Sequence, residues 1–174
     1  MQVIPYIVLK CEDKYFVTKR LDGDHRLVGM IGFLGGHIDK SDLVLKERNI
    51  DPFMTIYNGA IRELKEEVGV DITKYRTTLT NVFNDTSNDV SKVHICALMV
   101  VDVDANDMES VKVLETEKLE GLWLDINELG EYSAKDKMEN WAVITYEKLK
   151  ELYPPVEEPK KKQTRKTKVT KEEK

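Results

Sequence analysis

The feature that most restricts this chain is a segment whose start and stop are both spelled out. Asp51-Pro52 puts an N-capping carboxylate before a proline at the first helical position, and Gly69 stands where a helix ends in a left-handed residue. Between them the apolar positions 53, 56, 57, 60, 61, 64 and 68 follow the 3.6-residue period, which predicts a helix over 52–68. Ile61, Leu64 and Val68 form its core side. The opposite side carries Glu63, Glu66 and Glu67 at i, i+3 and i+4, so three carboxylates project together near the C-terminal end, where the helix dipole disfavours negative charge. A bare run of this kind is ordinarily a solvated acidic face, paired in part with Arg62 and Lys65. A divalent cation would also remove the conflict, because hard ions such as Mg²⁺ take oxygen ligands and keep waters for a phosphate.

Around that helix the pattern is one of strands. Residues 2–10 and 14–20 are β-rich runs about the polar turn Glu12-Asp13, which predicts a hairpin, with Pro5 marking an edge or a bulge. Residues 21–28 read as a loop. Gly29 to Ile38 is apolar and punctuated by Gly32, Gly35 and Gly36, a density that signals close backbone approach. Strands are expected near 76–84, 92–103 and 119–124, then a polar turn and a final amphipathic helix over 136–152. Strands, one long helix, more strands and a closing helix favour an α/β fold with a mixed sheet between helices.

The chain has 174 residues, enough for one domain with a real core, and its formal net charge of −5 hides a split. Residues 160–174 hold eight Lys/Arg and two Glu, so 1–159 carry 19 basic and 30 acidic residues, a net of −11. The expected organisation is a domain over 1–153 and a basic tail over 154–174, which follows Pro154-Pro155 and is too polar to pack. No apolar run is long enough to span a bilayer, and no basic stretch precedes an apolar one at Met1, so neither a membrane span nor a signal peptide is expected. Cys11 and Cys96 lie in apolar surroundings without metal-like spacing and read as free buried thiols, which places the chain in the cytoplasm.

The segment Gly59 to Val70, GAIRELKEEVGV, lies downstream of Gly35-Gly36-His37-Ile38-Asp39. There the sequence resembles the Nudix hydrolases, whose box is G-x5-E-x7-R-E-U-x-E-E-x-G-U with U aliphatic. Arg62 through Val70 match every specified position. The first half departs: Gly36 is followed after five residues by Asp42 rather than Glu, and 19 residues rather than 7 separate Asp42 from Arg62. Because the helix begins at Pro52, the additional 12 residues fall mostly in 40–51 and leave its register intact. The I-P-Y-x-V-L opening, G-G-H-I and the lengthened box look most like a Nudix branch described as predicted phosphoesterases.

The resemblance implies a Nudix α/β/α sandwich and a metal-dependent hydrolase in which water attacks phosphorus in a nucleoside triphosphate or another nucleoside diphosphate derivative. It assigns Mg²⁺ or Mn²⁺ to Glu63, Glu66 and Glu67 with a carbonyl from Gly35 or Gly36, and the orienting of those carboxylates to Arg62. A carboxylate six residues before the strand Trp serves some members as base or as a further metal ligand, which points to Glu117, with Glu120 as the second choice. The same resemblance implies a short helix at Asp125-Ile126-Asn127-Glu128-Leu129. Trp123 reads as core, His25 and His94 as structural, and His37 either as a phosphate contact or as part of the turn. Asp39 and Asp42 stand where the family often has Glu, and Phe83 and Tyr6 are candidates for a base pocket. Two other functions stay open: RNA 5′-end (cap or triphosphate) hydrolysis, with weak RNA contact through the tail, and a non-catalytic nucleotide- or protein-binding module. The former expects affinity that falls steeply with salt. Homodimers are common among the proteins resembled, and 40–51 is open to three readings: a dimer contact, a lid or neither.

Overall fold

Strand alternation explains the layers. The structure, a computed structural model, describes residues 1–154 apart from Asp24 and Val90, so the basic tail lies outside the described residues. Strand β1 (Gln2–Cys11) pairs antiparallel with β2 (Lys14–Arg20) as the expected hairpin, and its odd and even side chains enter different cores. Ile7, Leu9 and Cys11 face one cluster; Tyr6 and Val8 face the other. A sheet buried on both faces must read as a near-continuous apolar run, which is why the strand expected near 92–103 lacks polar alternation.

Short strands β3 (Ile31–Gly32) and β4 (Leu34–Gly35) occupy the glycine-rich segment, and β5 (Leu45–Lys46) with β6 (Asn49–Ile50) forms a small hairpin within 40–51. Helix α1 (Pro52–Val68) has the boundaries its caps dictate: the Asp51 side chain accepts from the Met54 amide, and Gly69 closes the helix at φ 68°. Strands β7 (Arg76–Phe83), β8 (His94–Asp102) and β9 (Leu119–Asp125) complete the main sheet. Among the described residues that sheet has seven strands, running β3-β2-β1-β8-β7 with β4 added to β1 and β9 to β2. Its β1–β8 pair is parallel and the rest are antiparallel, so the sheet is mixed. Helix α1 packs Ala60, Leu64 and Val68 on one face; α2 (Ile126–Ala134) and α3 (Asn140–Leu152) cover the other with Leu129, Ala142 and Leu149.

Pro5 lies where β1 has one partner strand: the register with β8 runs unbroken through Pro5↔Ala97 and the pairing with β4 begins only at Tyr6, so the proline sits on an open stretch of edge and not at a bulge. Two expectations change. The polar turn read from the residue pattern after β9 is α2, the short helix the resemblance implied at 125–129, opened by an Asp125/Glu128 capping box. The final helix starts at Asn140 because Asp136 adopts φ 52° and the following residues run beside β3, with Ile31 N–H donating to Lys137 and Glu139 N–H donating to Ile31. Cys11 and Cys96 are both buried and unlinked, in opposite cores, and Trp123 packs edge-on against Phe16 at 5.3 Å. Among the described residues no helix is long and apolar enough to cross a membrane.

Residues 40–51 are tied down rather than loose. Asp51 N–H donates to the Val44 carbonyl, Val44 N–H to the buried Thr55 hydroxyl, and the Asn58 amide to the Asp42 carbonyl. The hairpin nevertheless leaves Leu45 68 % exposed. Leu64, fully buried between α1 and the sheet, should cost about 2–5 kcal/mol as Leu64→Ala in denaturant melts, against under about 0.5 kcal/mol for Leu45→Ala. Equal losses at the two sites would contradict this placement of the core.

Candidate active site

Two glycines bring the loop after β4 onto α1. A side chain at Gly36 would overlap the Glu63 carboxylate, so that space belongs to Glu63. Gly35 has φ 155°, any Cβ there would collide with the Pro5 carbonyl, and its N–H donates to Glu67 Oε2 at 3.3 Å. The close approach that the glycine density announced is therefore to the helix carboxylates and to β1.

Arg62 locks the same junction. Its guanidinium donates to the His37 carbonyl at 2.6 Å and to Asp42 at 3.0 Å, and it pairs with Glu63 at 2.9 Å and Glu66 at 3.1 Å. Asp42 is almost wholly buried and also accepts from the Asp39 amide at 2.7 Å. Burial pushes the Asp42 carboxyl up, but the bonds from Arg62 and Asp39 outweigh it and hold the group below the usual range. Hydrogen bonding to Asp42 is likewise the main reason the Arg62 guanidinium is held more firmly protonated than usual. Asp42 is thus an anchor for Arg62, a role the G-x5-D spacing could have suggested.

The carboxylates differ in state. Glu66 is exposed beside Arg62, and Glu63 is largely covered. Glu67 is half-buried, and desolvation pushes its carboxyl from 4.5 to about 7; Glu63 and Glu115 add to the rise, while the Gly35 amide and Arg20 oppose it. Among the described residues no three His, Cys, Asp or Glu side chains close around one point as a ready metal cage. The donors still suit a hard cation: Glu63 and Glu67 converge on the two glycines, and Glu67 is held at a charge deficit that a cation would relieve. Glu117 is exposed in the turn before β9, and Glu120 is engaged by Lys19 at 3.1 Å. Glu115, Arg20 and Glu139 join the site without having been singled out, since no local spacing marks them.

Beside the glycines opens a cleft of ≈ 740 Å³ whose lining includes Tyr6, His37, His94, Glu139, Asn140 and Trp141. Trp141 meets Tyr6, Phe83 and His94 edge-on at 5.6, 5.9 and 6.5 Å, and the His37 and His94 Nε2 atoms lie 3.2 Å apart. His94 lies on the wall of this cleft, and His37 supplies both a wall and the carbonyl that Arg62 holds.

A sequence profile of the NUDIX domain matches residues 3–149, across the glycine pair, the carboxylate helix and the cleft. The chain belongs to the Nudix family. Protein YmaB of Bacillus subtilis (strain 168) is 30 % identical over 145 residues, covering 81 % of this chain and 67 % of the relative. The crystal structure of Tm1382, which carries a Nudix hydrolase assignment, superposes with a TM-score of 0.65 at 27 % identity over 87 % of this chain and 71 % of that one. The NUDIX domain of Shewanella oneidensis NrtR, crystallised with ADP-ribose, shares the fold at a TM-score of 0.59 and 13 % identity, over 87 % of this chain and 88 % of that one. The α/β/α sandwich is therefore the Nudix fold, and this Nudix protein is a hydrolase acting on phosphorus-containing anhydrides. Nudix hydrolases act on nucleoside diphosphate derivatives and generally use a divalent metal such as Mg²⁺.

A raised carboxyl gives a definite pH sign. Between about 4.5 and 7 the folded chain keeps a proton on Glu67 that the unfolded chain has released, so this group's contribution to stability is full at low pH and lost as pH rises through that window. In metal-free buffer, melts from pH 5 to 8 should show a fall on the order of 3 kcal/mol at most, which Glu67→Gln flattens and millimolar Mg²⁺ offsets. Equal slopes for the two proteins would contradict the burial of a titrating Glu67. Asp42→Asn should lower stability by about 1–3 kcal/mol, since it weakens the principal bond to Arg62; an unchanged denaturation midpoint would refute the anchor.

Proposed function

We propose that this Nudix hydrolase cleaves a diphosphate linkage in a nucleoside triphosphate or another nucleoside diphosphate derivative, water attacking phosphorus. The observation that supports this reading most is the convergence of Glu63 and Glu67 on Gly35-Gly36 at the mouth of an aromatic cleft. Mg²⁺ or Mn²⁺ would be held by Glu63, Glu66 and Glu67 with a carbonyl of Gly35 or Gly36. Bound there, the ion supplies charge neutralisation for the diphosphate and a lowered pKa for the attacking water.

The chain's own residues do the rest. Arg62 fixes Glu63 and Glu66 and seals the loop to the helix, so the carboxylates need little rearrangement when substrate enters. Glu117 is assigned as the base that takes the proton of the attacking water, since Glu120 is already paired with Lys19. The nucleoside half occupies the cleft against Tyr6, His94 and Trp141. ADP-ribose on the NUDIX domain of NrtR supports a nucleoside diphosphate derivative as the ligand class.

The remaining assignments rest on sequence. Residues 1–153 carry the activity, and the eight cations within 160–174 offer weak contact to RNA phosphates. Buried free thiols at Cys11 and Cys96 favour a cytoplasmic setting. A second copy, where one binds, would meet the apolar hairpin of residues 45–50.

A panel of nucleoside triphosphates, ADP-ribose, dinucleoside polyphosphates and RNAs with capped or triphosphate 5′ ends decides among substrates. Small nucleotides should be turned over with Mg²⁺, and Glu66→Gln and Glu67→Gln should each reduce turnover by about 10²-fold or more while the fold persists. Wild-type turnover in either variant would overturn the assignment of the carboxylates. Exclusive action on RNA ends would select the RNA reading. No product from any substrate, together with no Mg²⁺ or Mn²⁺ binding, would leave a binding module.

A further inference from the structure

Arg20 and Glu139 lie far apart in the chain, yet Arg20 Nε donates to Glu139 Oε1 at 2.7 Å. The architecture that joins them is specific. Strand β2 pairs with β3 through Thr18↔Gly32 and Lys19↔Ile31, and Met138, buried, forms a parallel bridge to Ile31. The backbone bonds of Ile31 to Lys137 and Glu139 hold this segment beside β3, so the Glu139 side chain is laid across Gly32 toward the end of β2. A Cβ at Gly32 would stand 3.0 Å from Glu139 Oε2, so the glycine leaves just the room that carboxylate takes. Glu139 also occupies the N-cap of α3 without making a side-chain cap bond. Its carboxylate is turned to Arg20 instead.

The pair borders the site already described. Glu139 lines the cleft with Tyr6, Gly35 and Gly36, and the charge of Arg20 is felt at both Glu67 and Tyr6. Arg20 remains 42 % exposed, so its guanidinium is fixed without being buried. Arg62, the other arginine at these carboxylates, is committed to Asp42, Glu63, Glu66 and the His37 carbonyl. A domain of net −9 over 1–153 (19 basic, 28 acidic) with three helix carboxylates at its site needs a cation facing the substrate anion, and an arginine fork takes a phosphate in bidentate fashion.

We propose that Glu139 is a positioning residue that aims Arg20 at the phosphates of a nucleotide seated between the cleft and the glycine pair. The proposal rests on the functional reading given above. Arg20 touches the anion, and Glu139 acts only through Arg20, which makes their effects non-additive.

Titration with inorganic pyrophosphate in the presence of Mg²⁺, on wild type, Arg20→Ala, Glu139→Gln and the double variant, tests this directly. Arg20→Ala should weaken binding about tenfold and Glu139→Gln about threefold to fivefold, with the double variant no weaker than Arg20→Ala alone. On the best nucleotide of the panel, KM should rise in the same order with kcat within about twofold. Gly32→Ala, which alters neither charge but crowds the Glu139 carboxylate, should raise KM as Glu139→Gln does, with the melting temperature of each variant confirming that it folds. Wild-type pyrophosphate affinity in Arg20→Ala, or a further loss when Glu139→Gln is added to it, would overturn the proposal while leaving the hydrolase reading intact. A wild-type chain that neither binds pyrophosphate nor hydrolyses any nucleotide would overturn both.

Discussion

One guanidinium holds the site in register. Arg62 stands on α1 and binds the carbonyl of His37, the buried carboxylate of Asp42, and two carboxylates of its own helix. Each acceptor would be unfavourable alone: Asp42 is a charge out of water, and Glu63 and Glu66 repel one another near the negative end of the helix dipole. A planar cation with five donors answers these demands at once, and in doing so pins the glycine loop and the following turn to the helix. Glu63 can then lie where Gly36 has no side chain, and Glu67 can accept from Gly35.

How much of this was legible depended on how local each determinant is. Helix α1 could be bounded from the sequence because Asp51, Pro52 and Gly69 act on their own neighbours. The carboxylate triad followed from helical spacing for the same reason. Sheet order was not legible: β1 lies parallel to β8 across most of the domain, and β3 and β4 are two-residue strands that make sense only beside β2 and β1. Pro5 marks a stretch of β1 that β4 covers only from Tyr6 onward, while the short helix α2 was announced by the motif resemblance and its capping box rather than by apolar periodicity. Arg20 and Glu139 are separated by 119 positions, and nothing near either residue announces the other.

The additional 12 residues show how a motif can be split and its parts still meet. Asp42 and Arg62 meet although 19 residues separate them, because the hairpin of β5 and β6 returns the chain to the start of α1 and Thr55 ties it there. Asp is shorter than the Glu the family pattern specifies, and Asp42 nonetheless reaches Arg62 through both oxygens. The charge balance fits the same scheme. A net charge of −9 over 1–153 would repel a polyphosphate at long range, which is why the proposed reading calls for local cations, Arg20 on one flank and a metal among the helix carboxylates.

The central claim is that the glycine pair and the carboxylates of α1 make a single cation site. Anomalous diffraction from crystals soaked in Mn²⁺ tests it most directly. The account predicts a peak between the carboxylates of Glu63 and Glu67 beside Gly35-Gly36, at metal–oxygen distance from both side chains. Manganese bound only elsewhere, or no peak at a concentration that supports hydrolysis, would contradict it.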